Sequence, residues 1–252
     1  MSHLLPDLLC ARSGIVCAIG AGGKKSTLYR IANALEVPLA LTTTVFCSHF
    51  PADLNVHVVA SEADSLMQRV LEASLEHPRI AYAGPSSKPG RFSGVSPQVI
   101  RTIQQQAGFA VTLVKADGAR MRWLKAPKPG EPVIADGCTT VIPVLSARAL
   151  GQTLGARVAH RPERVASVMG IRDGEIVSPV HMARLFASEQ GLLSGINEQT
   201  VVPVINMVDD SATEKLAREA ATAALEMSDR FDRVVLACMR SKDNPVIAVL
   251  ER

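Results

Sequence analysis

Aromatic residues are scarce in this chain: six Phe, two Tyr and one Trp make up 4% of its 252 residues. Its core must therefore be aliphatic, which suits parallel strands buried on both faces. Long apolar runs are missing as well. No uninterrupted stretch approaches the roughly 18 residues of a membrane span, so no membrane partner is expected. Only five cysteines occur, at Cys10, Cys17, Cys47, Cys138 and Cys238, with no CxxC pair. An odd, scattered set argues against a disulfide framework or a zinc ribbon and for reduced thiols. The net charge is only +3, which by itself makes no case for nucleic acid. The opening MSHLLPDLLCARSG has no basic region followed by a full apolar core and a cleavage site. A cytoplasmic location is the expectation. Neither an internal repeat nor a low-complexity tract is present.

What the chain does have is alternation. Strand-like runs fall at 14–19, 38–42, 56–59, 79–83, 109–114, 139–143, 201–205, 233–237 and 246–250. Helix-like segments at 27–35, 62–76, 97–107, 162–169, 179–187 and 212–227 lie between many of them. This pattern predicts an α/β fold, a mostly parallel sheet with helices on both faces. At this length residues 1–252 make one large domain, and 150–195, with helix-like pieces only, is a candidate helical insert or lobe.

Ligands in such sheets sit beyond the C-terminal strand ends. The first such end reads IVCAIGAGGKKST, residues 15–27. Gly20, Gly22 and Gly23 let a ligand approach the main chain, and successive N–H groups there form an anion-binding concavity. A helix following at Thr27 places its dipole under a phosphate. Gly20, Ala21, Gly22, Gly23, Lys24, Lys25, Ser26 and Thr27 are thus the candidate nucleotide-binding loop. Lys24 would reach the outer phosphates. The match to G-x-x-x-x-G-K-[ST] is imperfect. Ala18 stands in place of the first glycine, and Lys25, which ligates no magnesium, in place of the hydroxyl. Either Ser26 takes that role through a shifted loop, or metal is held otherwise, or hydrolysis is weak. The plain alternative is a glycine-rich turn with no ligand.

Three further strand ends carry polar groups. Asp117, after 109–114, occupies the place where nucleotide-hydrolysing folds hold magnesium or its water. Thr43 and Thr44, after 38–42, are candidate phosphate contacts, or simply strand-formers at a turn. Asn206 and Asp209, after 201–205, have the spacing of the Asn-Lys-x-Asp element of guanine-binding GTPases, with Met207 replacing the lysine; a helix cap is the competing reading.

The blocks GAGGKKSTLYR, LTTTVFCSHFP, KADGARMRWLKAPKPGEPVI, HRPERVASVMG and VINMVDD, in this order, resemble the YqeC-like family, described as probable accessory proteins of selenium-dependent molybdenum hydroxylases. The resemblance runs from Gly14 to about Leu250. It implies a P-loop NTPase-like fold and a role in maturing, or supplying cofactor to, a molybdenum hydroxylase or its maturation factors. The family's loop falls on Gly20, Gly22, Gly23 and Lys24, and its acid-Ala-Asp-Gly element on Ala116–Gly118, with Lys115 in place of the leading acid. Leu124–Pro127, Glu131, Pro132 and 160–163 also match.

The expectation that follows is a nucleotide-binding accessory protein and weak NTPase. It would take ATP or GTP with Mg²⁺, with Lys24 and Asp117 catalytic and Ser26 and Asp117 holding the metal. Arg120, Lys125, His160 and Arg161 are candidate contacts to a second phosphate or oxyanion, or members of a solvated basic loop. A non-catalytic delivery chaperone and a ligase or kinase of a small anionic metabolite are the other readings.

Overall fold

The computed structural model describes residues 4–252. Helices are α1 (Leu4–Leu8), α2 (Lys24–Ala34), α3 (Ala63–Ser74), α4 (Pro97–Gln106), α5 (Pro162–Met169), α6 (Pro179–Ala187) and α7 (Ser211–Met227). Strands β1 to β7 are Gly14–Gly20, Leu39–Thr43, Cys47–Ser48, His57–Ala60, Arg79–Ala83, Arg91–Phe92 and Val111–Lys115. Strands β8 to β14 are Leu124–Lys125, Cys138–Ser146, Ala159–His160, Thr200–Val201, Val204–Asn206, Arg233–Ala237 and Val246–Glu251.

The main sheet has the order β14-β13-β12-β9-β1-β7-β2-β5-β4, with β11 beside β9. Every pairing is parallel except β13 with β14. Side chains alternate across it. Along β1, Val16 and Ala18 join a core with α1 and α2, while Ile15, Cys17 and Ile19 join a larger core under α3 to α7. Helices thus cover both faces, and aliphatic side chains fill both layers. From the 150–195 stretch, Met169, Met182 and Phe186 are fully buried in that larger cluster. No helix among the described residues is long and apolar enough to cross a membrane, and all five cysteines are free thiols.

The departures from the sequence-based outline have physical reasons. The single strand expected at 201–205 is two, β11 and β12, because Pro203 between them has no N–H to donate. Pro143 is tolerated inside β9 for a related reason. Alternate residues of a strand face the same neighbour; Val141 accepts from Val202 N–H, so Pro143 turns its missing donor toward the break between β11 and β12. Helix α2 begins three residues earlier than expected, at Lys24, with Gly23 as its N-cap. Two short pairs were not foreseen: β3 with β6, and β8 with β10.

At the far end of α2, the Arg79 guanidinium donates to the carbonyls of Leu35 (2.9 Å) and Ala32 (3.0 Å). Both lie at the helix end, where carbonyls run out of regular intrahelical partners; Ala32 O also accepts from the Leu35 N–H (3.4 Å). Arg79 therefore fixes α2 to the start of β5. Replacing it, Arg79→Ala, should lower stability by about 1–2 kcal/mol in denaturant unfolding, the range for hydrogen bonds from a charged donor in a partly exposed setting; Arg79→Lys should recover part of the loss.

Candidate functional site

Strand order decides what meets at the cleft. Strand β1 lies between β9 and β7, so its loop emerges among the C-terminal ends of β9, β12 and β13 on one side and β7 and β2 on the other. A cleft of about 480 Å³ opens there, lined by residues from each of these ends.

The loop itself is built on close approach. A Cβ on Gly22 (φ 74°) would come within 2.6 Å of the Ser146 Cβ, and one on Gly23 (φ 132°) within 2.0 Å of the Asn206 Nδ2. Gly22 N–H donates to Arg122 O (3.1 Å). Asn206 Nδ2 donates to Gly22 O (2.8 Å), while its Oδ1 accepts from Met239 N–H (3.0 Å). Lys24, Lys25 and Ser26 form the first turn of α2, whose N–H groups have no intrahelical partner. No side chain caps this turn, and all three residues line the cleft. Thr27 is buried and its hydroxyl donates to Gly23 O (3.2 Å).

Beneath the loop lies a chain of alternating charges. Asp117 is buried, 2% exposed. Its Oδ1 is 2.9 Å from Lys24 Nζ; its Oδ2 accepts from Lys125 Nζ (2.8 Å) and Gly20 N–H (2.9 Å). Lys24 Nζ also donates to Gly20 O. Lys125, at 0% exposure, is 2.8 Å from Glu131 Oε2, and Glu131 takes a forked pair from Arg161 (2.9 and 3.0 Å). Burial alone would raise the Asp117 carboxyl, but Lys24 and Lys125 hold it below its ordinary value. Burial acts the other way on Lys24 and lowers it, opposed by Asp117.

Around the cleft the balance is one-sided. Lys24, Lys25, Lys115, Arg91, Arg120, Arg122, Arg148 and Arg240 all line it, and among the described residues no Asp or Glu does. Two of the eight are ion-paired, Lys24 with Asp117 and Arg148 with Asp209; the other six still focus a positive field. Phe46, Met121, Trp123 and Met207 supply apolar surface between them. Arg120, Met121 and Met207 have φ of 47°, 60° and 61°, a conformation costly for such residues and found where a site over-determines the backbone. Lys115 is pushed down to about 8, first by burial and then by Lys24.

The structure brings together most, but not all, of the residues singled out from the sequence. The loop from Gly22 to Ser26, with Arg120, lines the cleft. Lys125, expected to contact a ligand, does not: it is sealed between two carboxylates because its segment, β8, pairs with β10 beneath the surface. Arg161 is engaged by Glu131, and His160, lowered first by burial and then by Arg161, sits on β10 opposite Lys125. Thr43 and Thr44 spend their hydroxyls on the carbonyls of Val45, Lys115 and Val133. Asp209 accepts from Arg148 Nε (2.6 Å) in a small recess it shares with Ser26 and Asn206. Sequence reasoning missed Arg91, Arg148 and Arg240. The last two lie just past the strand ends of β9 and β13, where the strand-end rule would have found them.

Asp117, expected to hold magnesium together with Ser26, is engaged by lysines instead. Both Asp117 oxygens already face cations, and among the described residues no three His, Cys, Asp or Glu side chains converge to hold a metal. A magnesium ion here would take its ligands mainly from phosphates and water.

Glu131 yields a pH dependence. Burial would raise its carboxyl, but hydrogen bonds from Arg161 and Lys125 hold it down to about 2 from an ordinary 4.5. A carboxylate lowered by folding stabilises the fold above its unfolded value, and that contribution fades as pH falls through the folded value. Stability measured by denaturant unfolding should therefore drop between pH 4.5 and 2. In Glu131→Gln that part of the slope should be absent, on a less stable starting point.

Comparison with known proteins places this site in a family. The family described as "YqeC protein" matches residues 16–163, a span holding the glycine loop, Asp117, Lys125 and Arg161. "Uncharacterized protein YqeC" of Escherichia coli (strain K12) is 28% identical over 193 residues, covering 73% of this chain and 72% of that protein. The hydrogenase maturation factor HypB from Archaeoglobus fulgidus is 13% identical, with 96% of this chain and 89% of that one superposed at a TM-score of 0.40; a likeness at that level carries no argument. The family match covers well over half of the sequence, and the chain belongs to the YqeC family.

Proposed function

We propose that this protein binds a nucleoside triphosphate on the loop from Gly20 to Ser26. One observation carries the reading: an uncapped helix N-terminus faces a cleft lined by eight cations, six of them without an ion-pair partner, and, among the described residues, by no acid. Unpaired N–H groups, the helix dipole and Lys24 all favour phosphate there. Trp123, Phe46 and Met207 give a base an apolar surface to lie against. Magnesium, where present, would come with the phosphates and take its ligands from them and from water.

Binding is favoured over turnover. A general base needs a free oxygen within reach of the attacking water. Asp117 faces Lys24 and Lys125 and its carboxyl lies below its ordinary value, which makes it a weak base, so hydrolysis is slow and the protein acts mainly as a carrier or switch. The family resemblance supplies the setting, an accessory role in maturing or supplying a molybdenum hydroxylase, with selenium involved where the client enzyme uses it. Transfer of phosphate to a small anionic metabolite is a weaker reading, supported only by the basic lining.

Calorimetric titration of the protein with ATP and GTP should give saturable binding of one of them, accompanied by a change in Trp123 fluorescence. Lys24→Ala should weaken it by at least about tenfold, the loss of one charge-assisted contact. Heat and fluorescence that stay flat for both nucleotides would remove the reading. Retention of a molybdenum hydroxylase subunit on the immobilised protein, lost in Lys24→Ala, tests the accessory role.

A further inference from the structure

Two residues that break the magnesium pattern, Lys25 and Lys115, lie far apart in the sequence and meet in the cleft. Lys25 is the second residue of α2, where the loop pattern has its magnesium-ligating hydroxyl. Its Nζ donates to Ser48 Oγ. Lys115 ends β7, two residues before Asp117, and its Nζ donates to Phe46 O (3.1 Å). The Phe46–Ser48 strap therefore carries both ammonium groups, and both act electrostatically on the Cys47 thiol between those two anchor points. Each lines the phosphate cleft.

Neither has an acidic partner. Lys24 and Lys125 are ion-paired; among the described residues no carboxylate lies within ion-pair distance of Lys25 or Lys115. Neutral oxygens hold them in place, leaving their charge uncancelled. A cation withdrawn from water without a counter-charge is costly unless an anion comes to it. The same neighbourhood offers little to a metal: Asp117 faces Lys24 and Lys125, and among the described residues no acid lines the cleft.

We infer that Lys25 and Lys115 together supply the two positive charges that magnesium brings to an ordinary triphosphate site, so that the nucleotide binds here without a metal ion. This rests on the nucleotide reading above. Lys24, Lys25 and Lys115 would then surround the outer phosphates, each as a point charge with donors to spare. Freed of the metal, the site loses the ion that usually bridges and polarises the outer phosphates, in keeping with a site that binds more readily than it hydrolyses.

The test is titration of the purified protein with ATP and with GTP by calorimetry, once in excess Mg²⁺ and once in EDTA. Affinity in EDTA should lie within about threefold of that in Mg²⁺. A loss beyond about tenfold in EDTA, with binding intact in Mg²⁺, overturns the inference and leaves the nucleotide reading standing. Absence of binding in both buffers overturns both. A second arm uses Lys25→Thr, which restores the patterned hydroxyl on an open first turn. Its affinity in EDTA should fall about tenfold or more, and Mg²⁺ should restore much of it. Lys115→Ala should show the same loss in EDTA, with Lys115→Arg keeping the parent's behaviour. Unchanged affinity of Lys25→Thr and Lys115→Ala in EDTA would count against the two lysines.

Discussion

The buried carboxylate of Asp117 is the point on which the site turns. Its two oxygens join three separate pieces of chain: the Gly20 N–H at the end of β1, the Lys24 ammonium at the start of α2, and the Lys125 ammonium of β8. Remove the carboxylate and two lysines are left buried near one another. The arrangement is specific because it is costly. Burying ions seldom adds net stability, whereas removing one partner of a buried set costs about 3–5 kcal/mol. A loop held in this way has one low-energy geometry, which is what a phosphate cradle requires. The second half of the chain of charges, Lys125 to Glu131 to Arg161, extends that constraint to β8, Glu131 and the residue after β10, while Arg122 and Trp123 are held at the loop by their carbonyls, which accept from the Gly22 and Ser146 N–H groups.

Much of the fold could be read in the sequence because its signals are local. Helices α5 and α6 fall on the expected residues, each opening with Pro in its first turn, and α5 ends at Gly170 with φ of 70°. Those are capping signals that need no knowledge of the rest of the chain. The buried strands were visible as aliphatic runs for a similar reason. What local pattern does not reveal is pairing. The β3–β6 and β8–β10 ladders join two-residue pieces from distant loops, too short to show a period, and they matter out of proportion to their length. The first holds the strap carrying Phe46 and Ser48; the second sinks Lys125.

The candidate site was legible to the same extent. Glycines, Lys24 and Asp117 follow from motif and strand-end position, and the structure does bring them together. Lys125 illustrates the limit. Its segment is distinctive in sequence, and a lysine in a basic loop reads as a ligand contact; only the tertiary neighbours Asp117 and Glu131 show that its charge is spoken for. Asn206 is a comparable case. Its spacing to Asp209 suggested base recognition, yet its amide is occupied bracing Gly22 O and Met239 N–H. Arg91, Arg148 and Arg240 went unnoticed since no motif surrounds them; they matter through where the sheet order places them.

Lys125 has a further consequence for how the loop responds to phosphate. In the geometry described, Lys24 is turned inward onto Asp117 and Gly20 O. A bound phosphate would draw that ammonium outward, and a carboxylate held by Lys24 alone would then be stranded in the interior. Asp117 is not held by Lys24 alone. Oδ2 keeps Lys125 Nζ and the Gly20 N–H whatever Lys24 does, so the buried charge stays compensated during the exchange. Lys125 in turn is not left over-committed, because Glu131 shares it and Arg161 shares Glu131. Each link can give up part of its partner without exposing a bare charge. That is the physical sense of an alternating chain five groups long under a loop that needs only one lysine: it lets Lys24 move while the rest of the cradle stays fixed.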